Sequence, residues 1–172
     1  TWSADGDPLA VPAGEPGLEI GVALGIVLGR VACRVSPAQA LECVSGYLLL
    51  GEISLPLASH YRPAVRLRAR DGFCPVGRQV LPASAVAQPD ALTARVRIDG
   101  RVAHETNTGD RLRDVAHLIA DVSEFMTLQS GDVLSLGRSH GAPMAMPGQQ
   151  VVLEIDGLGT SRHLVVAEGE GA

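Results

Sequence analysis

The charged side chains best suited to chemistry are crowded into residues 60–77, where four arginines are followed by an aspartate. A guanidinium group can hold a carboxylate through two parallel hydrogen bonds, so this stretch suits the binding of an acidic substrate. The same charges can instead form a solvated surface with local ion pairs to Asp71. Both interpretations stay open for Arg62 and Arg68, whereas the solvated surface is favoured for the other two arginines.

The histidines and cysteines offer weaker chemistry. His60 with Glu52, and His104 beside Glu105, could transfer protons at neutral pH. The five histidines nevertheless lack HxH or HExxH spacing, so structural or surface roles are favoured. The three cysteines are widely spaced without a CxxC pair, which predicts neither a disulfide framework nor a zinc site and fits a reducing cytoplasm. Cys74 precedes a proline and has no clear base partner, so we expect an inert buried thiol.

Composition limits the class of protein. With 172 residues, 46% of them hydrophobic, the chain can form one domain with a substantial core, spanning residues 1–172. A net charge of -5 gives no positive field for phosphate backbones, so nucleic acid is not expected as a partner. The longest apolar run, Ile20–Leu28, is far shorter than the roughly 20 residues of a membrane-spanning helix, so no membrane partner is expected. Thr1 is not a natural initiator, which predicts a missing amino-terminal segment.

Two apolar stretches must carry the core and position any site. Leu18–Leu28 is continuously apolar apart from Glu19, and Gly46–Ile53 is similar, so both are predicted to be interior strands. Gly21 removes a side chain from the first of them, where another backbone or a ligand can approach closely. The residues before these strands, Asp5–Gly17, show no periodicity and predict an irregular lead-in.

The remaining elements follow from local signals. A serine, a proline and a returning glutamine predict a short helix over Ser36–Cys43. Apolar residues at three- and four-residue steps predict an amphipathic helix over Arg111–Met126, capped by Asn107–Asp110. Asp99-Gly100, between alternating residues, predicts a type I′ hairpin. Further strands are predicted at Val133–Leu136, Gln150–Ile155 and His163–Val166.

Several short phrases stand in a fixed order along the chain and together resemble the fumarylacetoacetate hydrolase family. The resemblance runs from about Leu18 to Val166, and its most specific part is the string RDGFCPVG at residues 70–77. Within the family this string points to the amino-terminal one of two related halves in an enzyme of aromatic catabolism. The other phrases are Gly46-Tyr47, Tyr61-Arg62-Pro63, Asn107-Thr108, Glu124-Phe125-Met126-Thr127-Leu128 and Gly131-Asp132-Val133.

The resemblance implies a fold and an activity. The implied fold class is mixed β with peripheral helices, built on a rolled β-sheet. The implied activity is isomerisation or decarboxylation of 2-oxo or 2-hydroxy-dienoic di- and tricarboxylic acids in homoprotocatechuate breakdown, through an enolate. Family members use magnesium or manganese, whose charge stabilises the enolate oxygen. They also associate, so a homo- or hetero-oligomer, with a dimer as the default, is expected.

The family's site residues can be placed on this sequence one by one. The Glu-x-Glu pair that holds the metal falls on Gly21 and Ala23, so both carboxylates are missing. The later metal-binding aspartate falls on Glu52, which can still coordinate a metal through its longer side chain. The family lysine falls on Arg68, which keeps the charge but is not a compact ammonium donor. The threonine of a Gly-Thr-Pro phrase falls on Arg138.

These positions carry the implied roles. One carboxylate holds a hydrated divalent ion poorly, so the metal is expected to be absent or weakly bound here and to come from a second family domain or subunit. Glu19 lies on the same strand face as the missing pair and is a candidate replacement ligand, but a solvated strand-edge position is favoured. The implied catalytic residues are Arg68 and Glu52, the implied substrate-binding residues are Tyr61, Arg62, Asp71 and Arg138, and the one remaining metal ligand is Glu52.

Three hypotheses about function remain open. The leading one is an isomerase/decarboxylase-type domain that works beside a metal-bearing family domain. The alternative is a catalytically degenerate family member that serves as a structural or binding partner, as the loss of the family lysine and threonine suggests. A third is metal-independent chemistry in which Arg62, Arg68 and a histidine stabilise the enolate.

Overall fold

Two long antiparallel strands, β3 (Leu18–Leu28) and β4 (Val44–Ser54), form the centre of the fold. Both strands were predicted from their apolar runs, and both are confirmed. Alternate side chains of β3 point into the main core, and those at positions 18, 20, 24, 26 and 28 are at most 1% exposed. The opposite face of the same two strands carries Glu19 and Glu52, so the centre of the fold has one apolar and one partly charged face.

The computed structural model describes residues 1–56 and 64–169. Within these residues the strands form two five-stranded sheets and one two-stranded pair. The other strands are β1 (Trp2–Ser3), β2 (Leu9–Val11), β5 (Cys74–Pro75), β6 (Leu81–Pro82), β7 (Thr93–Ile98), β8 (Arg101–Asn107), β9 (Val133–Ser135), β10 (Met144–Ala145), β11 (Gln150–Ile155) and β12 (Gly159–Ala167). The helices are α1 (Pro37–Ala40), α2 (Val65–Arg68) and α3 (Val115–Phe125), with 3-10 turns at Leu41–Cys43, Ala83–Ala85, Pro89–Ala91 and Thr108–Asp110.

The predicted fold class is confirmed, because sheets dominate and the few helices are short. One sheet has the order β10-β3-β4-β6 with β9 also paired to β3, and the other has the order β2-β12-β11-β7-β8. The predicted hairpin joins β7 to β8, and its turn residues Asp99 and Gly100 have φ of 49° and 79°, as a type I′ turn requires. None of the helices in the described residues is long and apolar enough to cross a membrane.

Two predictions about local structure are wrong. The lead-in is not wholly irregular, because Leu9–Val11 forms β2 and pairs in parallel with β12, burying Leu9 and Val11. Three residues are too few to reveal a periodic pattern. The predicted helix over Arg111–Met126 begins later, at Val115, because Asp114 is its N-cap and accepts a hydrogen bond from the His117 backbone N–H at 2.8 Å.

The cap expected at Asn107 serves a different element. Its side chain accepts a hydrogen bond from the Gly109 backbone N–H at 2.9 Å, and so caps the 3-10 turn that precedes α3. The chain between this turn and α3 is not helical. Leu112, which lies there, is therefore 93% exposed instead of belonging to the apolar face of the helix.

Candidate functional site

The edge of β3 is interrupted where the candidate site lies. Strand β9 pairs with the far end of β3 and β10 pairs with its beginning, and residues 136–143 between them leave the sheet as a loop. The loop is tied to β3 at both ends, because Leu136 N–H donates to the Leu24 carbonyl at 2.9 Å and Ile20 N–H donates to the Pro143 carbonyl at 2.8 Å. This interruption brings loop side chains across the polar face of β3.

Arg138 is the loop residue that crosses this face. A Cβ atom added at Gly21 would lie 2.4 Å from Cδ of Arg138, so the arginine occupies the space that a side chain at position 21 would need. Its Nη2 forms an ion pair with Oε2 of Glu19 at 2.5 Å, and the Ser54 hydroxyl donates to the same oxygen at 3.2 Å. The expectation of a solvated strand-edge position for Glu19 is wrong, because the partner arrives from a distant loop.

Glu52 faces Gly21 across the β3–β4 ladder, and each of its carboxylate oxygens accepts a hydrogen bond from the end of β9 or from the loop that follows it. The Ser135 hydroxyl donates to Oε1, and the Arg138 backbone N–H donates to Oε2 at 3.1 Å. The Ser135 oxygen in turn accepts a hydrogen bond from Gly137 N–H at 3.0 Å. Glu52 therefore holds the loop in place through hydrogen bonds to both of its oxygens.

Two adjoining depressions open around these residues, with volumes of about 230 Å³ and 510 Å³. Both are bordered by Glu52, Arg68 and Arg138. The first extends to Phe73 and Cys74, so part of the RDGFCPVG string forms its wall. We call the two depressions together the cleft. The second is also lined by Glu19 and by residues 137 and 139–142 of the loop.

Burial and charge shift two pKa values beside the cleft. Burial, with a smaller contribution from the charge of Glu52, raises the pKa of the Cys74 thiol above its ordinary value. Burial lowers the pKa of Arg111, against the opposing charges of Asp110 and Glu52. Arg111 donates from Nε to the Gly137 carbonyl at 2.9 Å and so supports the loop from behind.

The predicted site residues are brought together only in part. Glu52, Arg68 and Arg138 meet at the cleft, as described above. Asp71 is exposed and borders a separate depression with Arg66, Arg70 and Glu168, so in the described part of the chain it does not line the cleft. The predictions for Tyr61 and Arg62 fall outside the described residues.

Sequence reasoning missed several side chains of the site. Ser135 and Arg111 had no motif to mark them, because each acts through the backbone or carboxylate of a residue far away in the sequence. His104 was judged structural, yet its Nε2 lies 2.5 Å from Oγ of Ser139, the neighbour of Arg138. This pair borders the loop.

The sequence profile described as Fumarylacetoacetate (FAA) hydrolase C-terminal matches residues 1–166. The chain belongs to the fumarylacetoacetate hydrolase family. The family inferred from the short phrases is thereby confirmed.

Relatives within the family include catabolic enzymes. The chain is 40% identical over 139 residues to the 4-hydroxyphenylacetate degradation bifunctional isomerase/decarboxylase of Salmonella dublin. The aligned region covers 80% of this chain and 32% of that protein. The fold matches 2-hydroxyhepta-2,4-diene-1,7-dioate isomerase from Mycobacterium marinum, with a TM-score of 0.89 and 28% identity over 98% of this chain and 66% of that chain. The chain spans about a third of the length of the bifunctional relatives.

A further solved relative bears on the metal. Maleylpyruvate hydrolase from Sphingobium sp. SYK-6, in complex with manganese(II) ion and pyruvate, matches with a TM-score of 0.87 and 29% identity over 96% of this chain and 61% of that chain. The described residues of the cleft do not fit a divalent ion. Gly21 and Ala23 offer no side-chain oxygen ligands, Glu52 already accepts two hydrogen bonds, and Arg138 brings a positive charge. The described residues contain no group of three or more His, Cys, Asp or Glu side chains placed to hold a metal.

Proposed function

We propose that this chain is an isomerase/decarboxylase-type domain of homoprotocatechuate catabolism, located in the cytoplasm. Its substrates are 2-oxo or 2-hydroxy-dienoic di- or tricarboxylic acids. The activities for which the bifunctional relative and the isomerase are named support this choice. Since the chain covers about a third of the bifunctional relative, the activity of that whole protein is proposed here for a domain and its partner together.

The charge of the cleft is the observation that carries the proposal. Arg68 and Arg138 line the cleft and Arg111 lies directly behind its loop, against the two carboxylates of Glu19 and Glu52. The cleft is lined by as many guanidinium groups as carboxylates, but Arg138 is paired with Glu19, whereas Arg68 is exposed and has no ion pair within the described residues. A substrate with carboxylates suits this exposed arginine, because guanidinium groups bind carboxylates through charge-assisted hydrogen bonds.

The side chains of this domain would bind and orient the acid and move a proton. Arg68 is exposed at the mouth of the cleft and can reach a substrate carboxylate. The His104–Ser139 pair can supply or remove the proton that an isomerisation needs. A divalent ion would have to come from a second domain of the family, in a homo- or hetero-oligomer, because the described residues of this chain do not fit one.

Reconstitution tests the proposal. The chain, alone or mixed with a family domain that retains the Glu-x-Glu and aspartate ligands, is assayed for decarboxylation of 5-oxopent-3-ene-1,2,5-tricarboxylate with magnesium. We expect slow turnover by either domain alone and faster turnover by the mixture. Equal turnover by the chain alone would refute the need for a partner.

Two arginines on one helical turn provide a matched control. Arg68→Gln should raise KM in the mixture, because Arg68 borders the cleft. Arg66→Gln on the same helix should leave KM unchanged, since Arg66 borders a different depression. Equal effects of the two substitutions would show that Arg68 has no special role in binding the acid.

A structural partner is the second candidate function. Its specific support is Arg138, whose side chain occupies the space that a metal-binding side chain at position 21 would need. If the chain only stabilises an active relative, Arg68→Gln combined with Arg138→Met should leave the activity of the mixture unchanged while the complex still forms. Size-exclusion chromatography shows whether the complex still forms. Loss of activity in an intact complex would favour the catalytic role.

A further inference from the structure

Residues 1–7, which we call the leading segment, run along the outer edge of the RDGFCPVG wall of the cleft. Strand β1 of this segment pairs in parallel with β5 of the wall. The Thr1 carbonyl accepts a hydrogen bond from the Cys74 backbone N–H at 2.9 Å, and the Ser3 carbonyl accepts one from the Val76 N–H at 2.9 Å. Two backbone donors of the wall therefore depend on the leading segment for their acceptors.

The opposite edge of the wall is attached to β4. The Ile53 N–H donates to the Phe73 carbonyl at 3.0 Å, and the Gly77 N–H donates to the Leu49 carbonyl at 2.8 Å. Phe73 is buried and borders the first depression of the cleft together with Cys74. The wall thus lies between β4 and the leading segment, which covers an edge that would otherwise expose unpaired backbone groups.

Asp5 attaches the leading segment both to the other sheet and to the end of the wall. Its side chain is only 7% exposed. One carboxylate oxygen accepts a hydrogen bond from the Arg162 backbone N–H of β12 at 2.6 Å, and the other pairs with Nε of Arg78 at 2.5 Å. The Arg162 N–H is the main cause that holds the pKa of Asp5 below its ordinary value, and Arg78 adds to it against the effect of burial.

We propose that Asp5 is a positioning residue of the cleft, which acts on the wall through the leading segment. Its contact with β12 fixes the place of β1, and β1 supplies the acceptors for the Cys74 and Val76 N–H groups. Loss of this contact leaves the pairing of the wall with β4 in place and opens its outer edge. The inference stands on the geometry around Asp5, whatever reaction the cleft carries out.

Amide hydrogen exchange of the whole chain, followed residue by residue by NMR, tests this inference. Asp5→Ala should speed exchange of the Cys74 and Val76 amides about 10- to 100-fold, as expected for loss of a hydrogen bond to a charged group. The Gly77 amide should change far less, because its acceptor belongs to β4. Unchanged exchange at Cys74 and Val76 would overturn the inference.

The conservative variant Asp5→Asn identifies the contact that anchors the segment. It keeps an oxygen acceptor for the Arg162 N–H but loses the charge that faces Arg78. Because the Arg78 side chain is 78% exposed, that ion pair contributes little, and exchange in Asp5→Asn should stay close to that of wild type. Exchange as fast as in Asp5→Ala would overturn the assignment of the anchor to the contact with β12.

Asp114→Ala is the matched control for a general loss of stability. The Asp114 carboxylate also accepts a backbone N–H, that of His117 at 2.8 Å, but it lies at the start of α3. This variant should leave the ratio of exchange rates between the Cys74 and Gly77 amides as it is in wild type. An increase in that ratio as large as in Asp5→Ala would overturn the inference.

Wild-type chain supplies the test if Asp5→Ala does not fold. Exchange is then measured at increasing urea concentrations below the unfolding transition. The Cys74 and Val76 amides should exchange through a local opening that leaves Gly77 protected. Exchange of all three amides only through global unfolding would overturn the inference.

The consequence for catalysis rests on the proposed function. In the mixture with a metal-bearing family domain, Asp5→Ala should raise KM more than it lowers kcat, because the wall borders the first depression of the cleft. Faster exchange of the wall with no turnover in any mixture would sustain the positioning role of Asp5 and refute the isomerase/decarboxylase role. Turnover with unchanged exchange of the wall would do the reverse.

Discussion

Strands β3 and β4 have two faces of opposite chemistry. On the core face of β3, Leu18, Ile20 and Leu24 are at most 1% exposed and contact other apolar side chains. On the cleft face, Glu19 and Gly21 lie beneath a loop whose polar contacts determine their surroundings. The two faces consist of alternate residues of the same strand, so one backbone supports both a core and a candidate site.

The two faces differ in the kind of interaction that holds their side chains in place. The hydrophobic effect is non-directional, so many neighbouring side chains together stabilise the core face. The cleft face depends on particular atoms, such as the two oxygens of Glu52 and the hydroxyl of Ser135. A change on the core face should therefore alter stability most, and a change on the cleft face should alter specific contacts.

The largest expected effect is on the core face. Ile20→Ala should lower the free energy of unfolding by about 2–5 kcal/mol, because it leaves a cavity at a fully buried position. Ile20→Val at the same site should cost about 0.5–1.5 kcal/mol. Urea denaturation followed by circular dichroism measures both. A loss below about 1 kcal/mol for Ile20→Ala would contradict the account of the core face.

The next effect tests whether Arg138 and Gly21 compete for one space. Gly21→Glu should destabilise the fold by about 1–3 kcal/mol, because its Cβ would overlap Arg138. Adding Arg138→Thr should recover part of this loss, although the Glu52 carbonyl at 2.8 Å from that Cβ still resists the substitution. A double-mutant cycle measures the coupling. Strictly additive losses would show that the two residues do not share the space.

Sequence reasoning predicted the core face well and the cleft face poorly. The apolar run of Leu18–Leu28 is a local pattern, and local patterns determine which residues face a core. Glu19 was misjudged because its environment is made by Arg138, which reaches it from a loop far along the chain. Resemblance to the family identified Glu52 and Arg138 as site positions, but it could not show that they contact one another.

The same contrast explains the helix error. Leu112 fits the spacing of an amphipathic helix, but spacing alone does not show where the helix begins. The cap at Asp114 sets that beginning, through its hydrogen bond with the His117 backbone. The extended residues before it allow Arg111 to reach the Gly137 carbonyl, a contact that a helix pattern does not predict.

A smaller effect is expected for a single hydroxyl on the cleft face. Ser135→Ala should cost about 1–2 kcal/mol, because Glu52 loses a donor and Gly137 N–H loses its acceptor. Ser45→Ala is the matched control, since its hydroxyl donates to the Val27 carbonyl at an exposed position and should cost less than about 0.5 kcal/mol. Urea denaturation compares the two. Equal losses would mean that the Glu52 contact contributes nothing special.

The smallest expected effect is a change in reactivity that leaves stability nearly unaltered. Burial and the charge of Glu52 both raise the pKa of Cys74, so its thiol should react with iodoacetamide only at pH above its ordinary pKa. Glu52→Gln removes one of these causes, so the pH midpoint of Cys74 alkylation should move down. It should not return to the ordinary value, because burial is the larger cause and remains.

Peptide mass spectrometry resolves the alkylation of Cys74 from that of the exposed Cys33. Glu124→Gln, an equal change of charge at an exposed position, is the control and should leave the Cys74 midpoint in place. An equal shift in both variants would mean that overall charge, and not the nearby carboxylate, sets the pKa of Cys74. A shift confined to Glu52→Gln would place the Glu52 charge beside the RDGFCPVG wall in solution, and so join the two parts of the cleft that the sequence suggested separately.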